Sequence, residues 1–339
     1  MIGVCLIGAG RAGMIHARNF VSRVPGAKMT AVADTVEENA RKAAEELGIK
    51  FYTADYRQAL TREDVDAVVV VTPTKYHREI VVAAAEAGKH ILCEKPMAMT
   101  AEECRDMIEA AEKNHVKLQI GFMRRFDSNF VRAKELIESG AIGEVVSVRS
   151  LTHGPSVPQE WMYDIQKSNG PLAEVNSHDI DTVRWLTGSE AKELHAVAGN
   201  YRCSEAKEKY PDFYDTVFMN IRMENGCLAN IDGAQGVQYG YDARVEIVGT
   251  KGCIHIGGLQ QGSTLVYTKE GMRGDVINSW RTLFSEAYFR EDVSFINCIV
   301  KDTIPEVTGW DGMKAVEIVR GGNESIRTGK VVKITGGAR

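Results

Sequence analysis

The sequence predicts an α/β fold. A doubly wound, mostly parallel sheet is expected over residues 1–123, and a larger α/β region with a mostly antiparallel open sheet over residues 124–339. Three observations carry this expectation. Strand-like and helix-like segments alternate over roughly the first 120 residues. Apolar and polar residues then alternate with period two from about 194 to 268. A chain of 339 residues, at about 150 per domain, has room for two domains.

Ile2–Ile7 is a short apolar run, read as a buried strand, and a helical pattern follows over Ala12–Val24. Met29–Ala33 is strand-like; Val36–Leu47 is rich in helix formers and stops at Gly48. Ala67–Val71 is all Ala and Val, as suits a strand covered on both faces. Tyr76–Ala87 is a helix ending at Gly88, and His90–Cys93 a strand. Thr100-Ala-Glu-Glu103 is a capping box that opens a helix to about Asn114, and Lys117–Gly121 closes the series. Beyond residue 123, Ser128–Glu138 reads as a helix, Val145–Leu151 as a strand and 153–171 as a long irregular stretch. A loop of that length is more often functional than filler. Pro171–Leu186 reads as one helix, with Pro at its start and Gly188 past its end. In the alternating region Val217, Met219, Ile221 and Met223 oppose Phe218, Asn220 and Arg222, and Asn225-Gly226 marks a hairpin. Two further helices are expected near Tyr288–Val300 and Gly312–Arg327.

Composition narrows the partners. There are 41 Lys plus Arg against 46 Asp plus Glu, a net charge of −5, with no basic block. That argues against a nucleic-acid or anionic-membrane partner. No apolar run is long enough to span a bilayer. The seven cysteines are scattered without a C-x-x-C pair, which fits reduced thiols in a cytoplasmic protein. The N-terminus shows no signal-peptide pattern. No His/Cys/Asp cluster has metal-ligand spacing, so a metal-independent reaction is expected, and no nucleophile-elbow motif is present.

Gly8-Ala-Gly10-Arg11-Ala12-Gly13 is a G-x-G-x-x-G turn between a predicted strand and a predicted helix, and Asp34 lies 21 residues after Gly13. Gly8 permits the tight turn, Gly10 lets backbone approach a pyrophosphate, and Gly13 lets helix and strand pack closely. The phosphates would sit at the helix N-terminus. Asp34 would accept hydrogen bonds from a ribose and repel a 2′-phosphate, which favours NAD over NADP.

Several segments, in order along nearly the whole chain, resemble the Gfo/Idh/MocA oxidoreductase family, and within it the inositol 2-dehydrogenases and related sugar dehydrogenases. They are the glycine turn, Thr72–His77, Ala87–Pro96 with its Glu94-Lys95-Pro96, Gly121–Asp127, His178-Asp-Ile-Asp181, Arg184–Gly188 and Tyr239–Gly252. The resemblance implies a Rossmann domain, then a substrate-binding α/β domain whose sheet forms a homodimer or homotetramer. The activity it implies is NAD-dependent oxidation of a secondary hydroxyl of a cyclic polyol or sugar. Two alternatives share the fold: an NAD-dependent enzyme that modifies or cleaves glycosides, and a non-catalytic dinucleotide-sensing regulator.

Lys95 follows a strand at the carboxyl edge of the parallel sheet, where such folds bind ligands. From position alone it is either a site ammonium or a surface partner of Glu94; by resemblance it is catalytic. His178 is the candidate acid/base, since imidazole titrates near neutral pH. Glu174, four residues earlier on the same predicted helix, would share its face, to orient the ring or hold a second hydroxyl. The inositol dehydrogenases usually carry Asp at that position. By resemblance Asp181 supports the site; Asp179, which diverges from it on a helix, suits a structural role equally well. The expected cofactor set is Gly8, Gly10, Arg11, Ala12, Gly13, Asp34, Thr72, Pro73, His77, Glu94, Lys95 and Arg125. His77 equally suits a helix cap, and Arg125 an interdomain salt bridge. The expected substrate set is Lys95, His153, Trp161, Asp164, Glu174 and His178, to which the resemblance adds Tyr239 and Tyr241. Trp161 could instead pin its loop, and the two tyrosines alternate along a predicted strand, so one should face away.

Overall fold

The computed structural model describes residues 1–334. The chain forms two compact units, Met1–Phe126 with Glu286–Val316, and Asp127–Ser285 with the stretch from Glu317 onward.

The first unit runs β1 (Ile2–Ile7), α1 (Gly13–Ser22), β2 (Ala27–Ala33), α2 (Glu37–Leu47), β3 (Phe51–Thr53), α3 (Tyr56–Leu60), β4 (Ala67–Val70), α4 (His77–Glu86), β5 (His90–Glu94), α5 (Ala101–Lys113) and β6 (Leu118–Gly121). Its six strands are parallel, in the order β3-β2-β1-β4-β5-β6. This is the doubly wound order, with its switch point between β1 and β4. Every residue of β4 is buried, as its Ala/Val run predicts. Thr100 Oγ1 accepts the Glu103 N–H at 3.2 Å, and the Glu103 carboxylate reaches back to the Met99 N–H at 2.9 Å, so α5 starts where the capping box places it. Gly48 takes the left-handed conformation past α2.

The second unit begins with α6 (Ser128–Glu138) and β7 (Val145–Gly154). Four helices follow: α7 (Glu160–Tyr163), α8 (Ile165–Ser168), α9 (Gly170–Glu174) and α10 (Ser177–Thr187). Then come β8 (Ala191–Gly199), β9 (Thr216–Met223), β10 (Leu228–Gln235), β11 (Asp242–Gly249), β12 (Cys253–Ile256), β13 (Gln260–Thr268), β14 (Gly271–Val276) and α11 (Trp280–Leu283). The chain continues through α12 (Ser285–Val300), α13 (Gly309–Thr328) and β15 (Val332–Lys333). Seven strands form one sheet, β12-β11-β7-β10-β9-β8-β15, antiparallel except for β10 with β7. Along β9, Val217, Met219, Ile221 and Met223 are buried while Phe218, Asn220 and Arg222 are exposed, so the period-two pattern reports a one-sided sheet. Asn225-Gly226 makes the β9–β10 turn, with Gly226 at φ +90°.

Three features differ from the expectations. First, the units are not contiguous at 123/124. The segment Glu286–Val316 belongs with the N-terminal residues, because Phe295, Ile296 and Cys298 of α12 pack in the same apolar cluster as Val4, Leu6, Phe20 and Leu92. Second, Pro171–Leu186 is not one helix. It breaks at Val175-Asn176, where the Asn176 amide donates to Asp179 Oδ2 at 2.9 Å, and such local bonds compete with the helix. Third, the hairpin β13–β14 forms its own two-stranded sheet. No disulfide joins the seven cysteines, and no helix among the described residues is long and apolar enough to cross a membrane.

Candidate active site

The glycine turn after β1 has the geometry its sequence predicts. Gly8 sits at φ +103°, and a Cβ there would lie 2.5 Å from the Val71 carbonyl oxygen. A Cβ on Gly13 would lie 2.0 Å from the Gly8 carbonyl oxygen, so only glycine lets α1 close on β1. Around Gly10 a Cβ would meet nothing within 4 Å, so its backbone faces open space. Arg11 is exposed and Ala12 half-buried beside it. Asp34, at the end of β2, accepts the Ala9 N–H on Oδ2 and the Val36 N–H on Oδ1, both at 2.9 Å. Those bonds fix the carboxylate beside the turn. The open approach at Gly10, the fixed carboxylate and a helix N-terminus together fit a dinucleotide.

Past β4, Thr72 Oγ1 is a buried hydroxyl with no hydrogen-bonding partner among the described residues. Such an orphan marks a place for a ligand atom. Pro73 is exposed beside it. His77 neither caps its helix by side chain nor presents a ring nitrogen. Its buried ring spans the Thr72 carbonyl at 2.7 Å and the Pro96 carbonyl at 2.9 Å, tying the loops after β4 and β5 together. Burial pulls its pKa below the ordinary value, against the two carbonyls, which favour the cation. Lys95 follows β5, half-buried, joined to Pro96 by a cis peptide bond. Glu94 is buried, and its Oε2 accepts the Lys95 N–H at 3.0 Å. Arg125 lies in the first unit and pairs with Asp311 at 2.9 Å, so the expected interdomain salt bridge is a bridge within that unit.

In the second unit, His178 is the second residue of α10 and is 7% exposed. Asp179 anchors that helix: it accepts the Ser150 hydroxyl at 2.6 Å and the Asn176 amide at 2.9 Å. Asp181 is buried beside Arg184, with 3.7 Å between the charged atoms, and Arg184 itself forms a bidentate pair with Glu190. Glu174 ends α9, so it does not share a helix with His178 and the expected i, i+4 relation does not hold. Asn176 Oδ1 and Ser177 Oγ, between them, are buried polar atoms without partners among the described residues. Sequence reasoning missed both. The available signal was the polar run from Asn176 to Asp179 at the start of α10.

The expected substrate group divides. Ser150 bonds to α10 and so marks the helix-covered face of β7. His153, three residues on, falls on the opposite face with Arg149. There His153 Nε2 meets Asp232 Oδ1 at 2.8 Å, His153 Nδ1 meets the Tyr239 hydroxyl, and Arg149 bonds Asp232 Oδ2 at 2.9 Å. Burial pushes the Asp232 carboxyl up, but His153 and Arg149 more than offset this and hold it below the ordinary range. Tyr239 is exposed and Tyr241 buried, as alternation requires, although both precede β11, on either side of Gly240 at φ +109°. Trp161 donates to Gln159 at 2.9 Å, within its own loop. Asp164 caps α8 through the Gln166 N–H and pairs with Lys167, so its carboxylate is occupied locally.

Comparison with known proteins places this geometry. Residues 2–122 match the Gfo/Idh/MocA oxidoreductase family with an NAD-binding Rossmann fold, and residues 130–255 match the GFO/IDH/MocA C-terminal domain.

The chain belongs to the Gfo/Idh/MocA oxidoreductase family.

A scyllo-inositol 2-dehydrogenase (NAD(+)) of Bacillus subtilis is 34% identical over 97% of this chain and 95% of its own. A myo-inositol 2-dehydrogenase of Thermotoga maritima is 33% identical over 98% of each chain. The crystal structure of a scyllo-inositol dehydrogenase from Lactobacillus casei, with bound NAD(H) and scyllo-inositol, superposes with a TM-score of 0.91. It is 26% identical and covers 99% of this chain and 100% of its own. This Gfo/Idh/MocA protein is an NAD-dependent oxidoreductase, and the Rossmann unit is where NAD binds.

Proposed function

We propose that the enzyme oxidises a secondary hydroxyl of an inositol-like cyclic polyol to the ketone. NAD, when bound, supplies a hydride acceptor at nicotinamide C4. Gly8, Gly10, Arg11, Ala12 and Gly13 hold the pyrophosphate by backbone, Asp34 holds the ribose, and Thr72, Pro73 and the His77-braced loop line the nicotinamide side. His178 takes the hydroxyl proton, the Lys95 ammonium stabilises the alkoxide that forms, and Glu174 positions ring or substrate. Ser177 offers a buried hydroxyl to a further substrate hydroxyl. The observation that carries this reading is a Lys95 after β5 and a His178 on α10 in a chain about one-third identical, end to end, to inositol dehydrogenases.

The test is a panel of inositols and pyranoses scored by NADH absorbance, repeated with Lys95→Ala and His178→Ala. Each variant should lose roughly a hundredfold or more in kcat and still bind NAD. Near-normal kcat in both would sink the assignment. The outer face of the second sheet exposes Val197, Phe218 and Leu228, and we place there the association of copies into a dimer or tetramer. A cytoplasmic location suits the reduced cysteines.

A further inference from the structure

Behind the Lys95 turn lies a buried polar cluster that the proposed chemistry does not use. His16 is on α1, the helix opened by the glycine turn, and has no exposed surface. Its Nδ1 lies 2.6 Å from Asp292 Oδ1, and its Nε2 lies 3.1 Å from Glu94 Oε1. The Asn19 amide donates to the other Asp292 oxygen at 2.8 Å. The other Glu94 oxygen accepts the Lys95 N–H. A ring with a carboxylate oxygen at each nitrogen can donate at both only as an imidazolium. Burial alone pulls the His16 pKa down, but the Asp292 charge, then its hydrogen bond and those of Glu94, hold it well above 6.5. Glu94 has little room to swing, since a Cβ on Gly121 would lie 2.8 Å from its Cδ. The hydrogen bonds therefore run without a gap from α12 through α1 to the peptide N–H of Lys95.

We propose that His16 is a positioning residue for Lys95: anchored by Asp292, it holds Glu94 in the one orientation that fixes the Lys95 backbone. The inference rests on the reading of Lys95 as the residue that meets the substrate oxygen. A cation site is the competing use of the cluster, because His16, Glu94 and Glu291 each bring a ligand atom within 4.8 Å of the others. Both His16 nitrogens already face carboxylates, however. Burial and the Glu94 charge also push the Glu291 carboxyl well above its ordinary value, while a metal ligand must be deprotonated.

The test is a double-mutant cycle of His16→Gln with Lys95→Ala on the inositol turned over fastest. Misplacing a catalytic group by about 1 Å can cost a hundredfold, so His16→Gln alone should lower kcat roughly ten- to a hundredfold. The deuterium isotope effect on kcat should rise, and the Kd for NAD should stay within about threefold, since the glycine turn is untouched. In the Lys95→Ala background the same change should alter kcat less than about twofold. Equal losses in both backgrounds mean His16 serves folding alone and overturn the inference. A Lys95→Ala variant with normal kcat overturns instead the reading on which it rests.

A second measurement needs no substrate. Lysines are reductively methylated with 13C-formaldehyde, and the Lys95 resonance is assigned by its loss in Lys95→Ala. That resonance should move in His16→Gln while other lysine resonances stay, and an unmoved resonance refutes the positioning role. Should His16→Gln fail to fold, Asp292→Asn, which removes the anchor, is read by the same two criteria. Stoichiometric uptake of Mn²⁺ or Zn²⁺ by the purified protein, abolished in Glu291→Gln, would replace the inference with the cation site.

Discussion

Two glycines three residues apart in the same turn should respond oppositely to one methyl group. At Gly10 a Cβ meets nothing within 4 Å, and its φ lies outside the left-handed region. Gly10→Ala therefore costs the apo fold nothing, and the loss of unfolded-state freedom stabilises it by about 0.4–1 kcal/mol. For a unit of this size that is a Tm change of roughly 0 to +4 °C. The same methyl stands where backbone must approach the pyrophosphate. Overpacking of that kind costs about 1–3 kcal/mol, a rise in the Kd for NAD of roughly five- to 150-fold. At Gly13 the Cβ would lie 2.0 Å from the Gly8 carbonyl oxygen and 3.2 Å from Leu6 Cδ1. The Gly8 backbone cannot yield as a side chain could, so Gly13→Ala should lower the Tm by several degrees before any ligand is added. Calorimetry of the apo proteins and titration calorimetry with NAD separate the two. A Gly10→Ala protein that binds NAD within threefold of wild type refutes the backbone-approach argument. One that melts more than about 5 °C early refutes the open space.

Asp34→Ala removes the carboxylate that accepts the Ala9 and Val36 N–H groups, and hydrogen bonds to a charged group are worth about 1.5–3 kcal/mol. NAD affinity should fall at least tenfold while NADP affinity falls less, and an unchanged ratio in parallel titrations would count against Asp34 as the ribose ligand. The Glu291 carboxyl is raised well above 4.5 by burial and by the Glu94 charge, so above that pH the unfolded chain has lost a proton that the folded chain keeps. Stability then falls with pH by about 1.4 kcal/mol per unit from this group; the advantage of Glu291→Gln in urea denaturation should grow as the pH is raised above the ordinary carboxylate range, and parallel curves would refute it. Phe218→Lys, on the face of β9 proposed for association, should lower the mass read by light scattering without loss of secondary structure, and an unchanged mass would count against that face. A fragment of residues 1–126 should lack a dispersed NMR spectrum and NAD binding, because it lacks Phe295, Ile296 and Asp292; a folded, NAD-binding fragment would disprove the discontinuous unit.

What the sequence revealed and what it hid divide along the range of the interactions. Local chemistry was legible. The all-buried β4, the Thr100 cap, the Asn225-Gly226 turn and the bounds of α6 depend on a few neighbouring residues and came out where expected. The break between α9 and α10 did not, because Pro171 and Gly188 correctly mark a start and a stop with helix-compatible residues between them. What ends α9 is Asn176, whose amide seats against β10 so closely that a Cβ on Gly233 would lie 2.1 Å from its Oδ1. No window along the chain contains that contact. The substrate role expected of His153 rests on its place at the start of the long loop, and Ser150 lies on the same strand. Which face of β7 each one serves follows from strand parity, known only once Ser150 is seen to meet Asp179.

The His16 cluster is the extreme case of the same rule. Its partners are 78 and 276 residues away, so no local sequence pattern points to them. Those separations also explain what the late helix α12 contributes. It supplies apolar side chains to the core beneath β1 and β4, and it supplies Asp292 to the cluster behind β5. A buried imidazolium with only one carboxylate beside it, tethered at a flexible strand end, would be costly to hold in place. With Asp292 on a helix locked into the apolar core and Glu94 wedged against Gly121, the charge has two fixed partners. The unit therefore completes its polar interior with residues synthesised after the whole central sheet, and the integrity of the Lys95 turn depends on the chain's return.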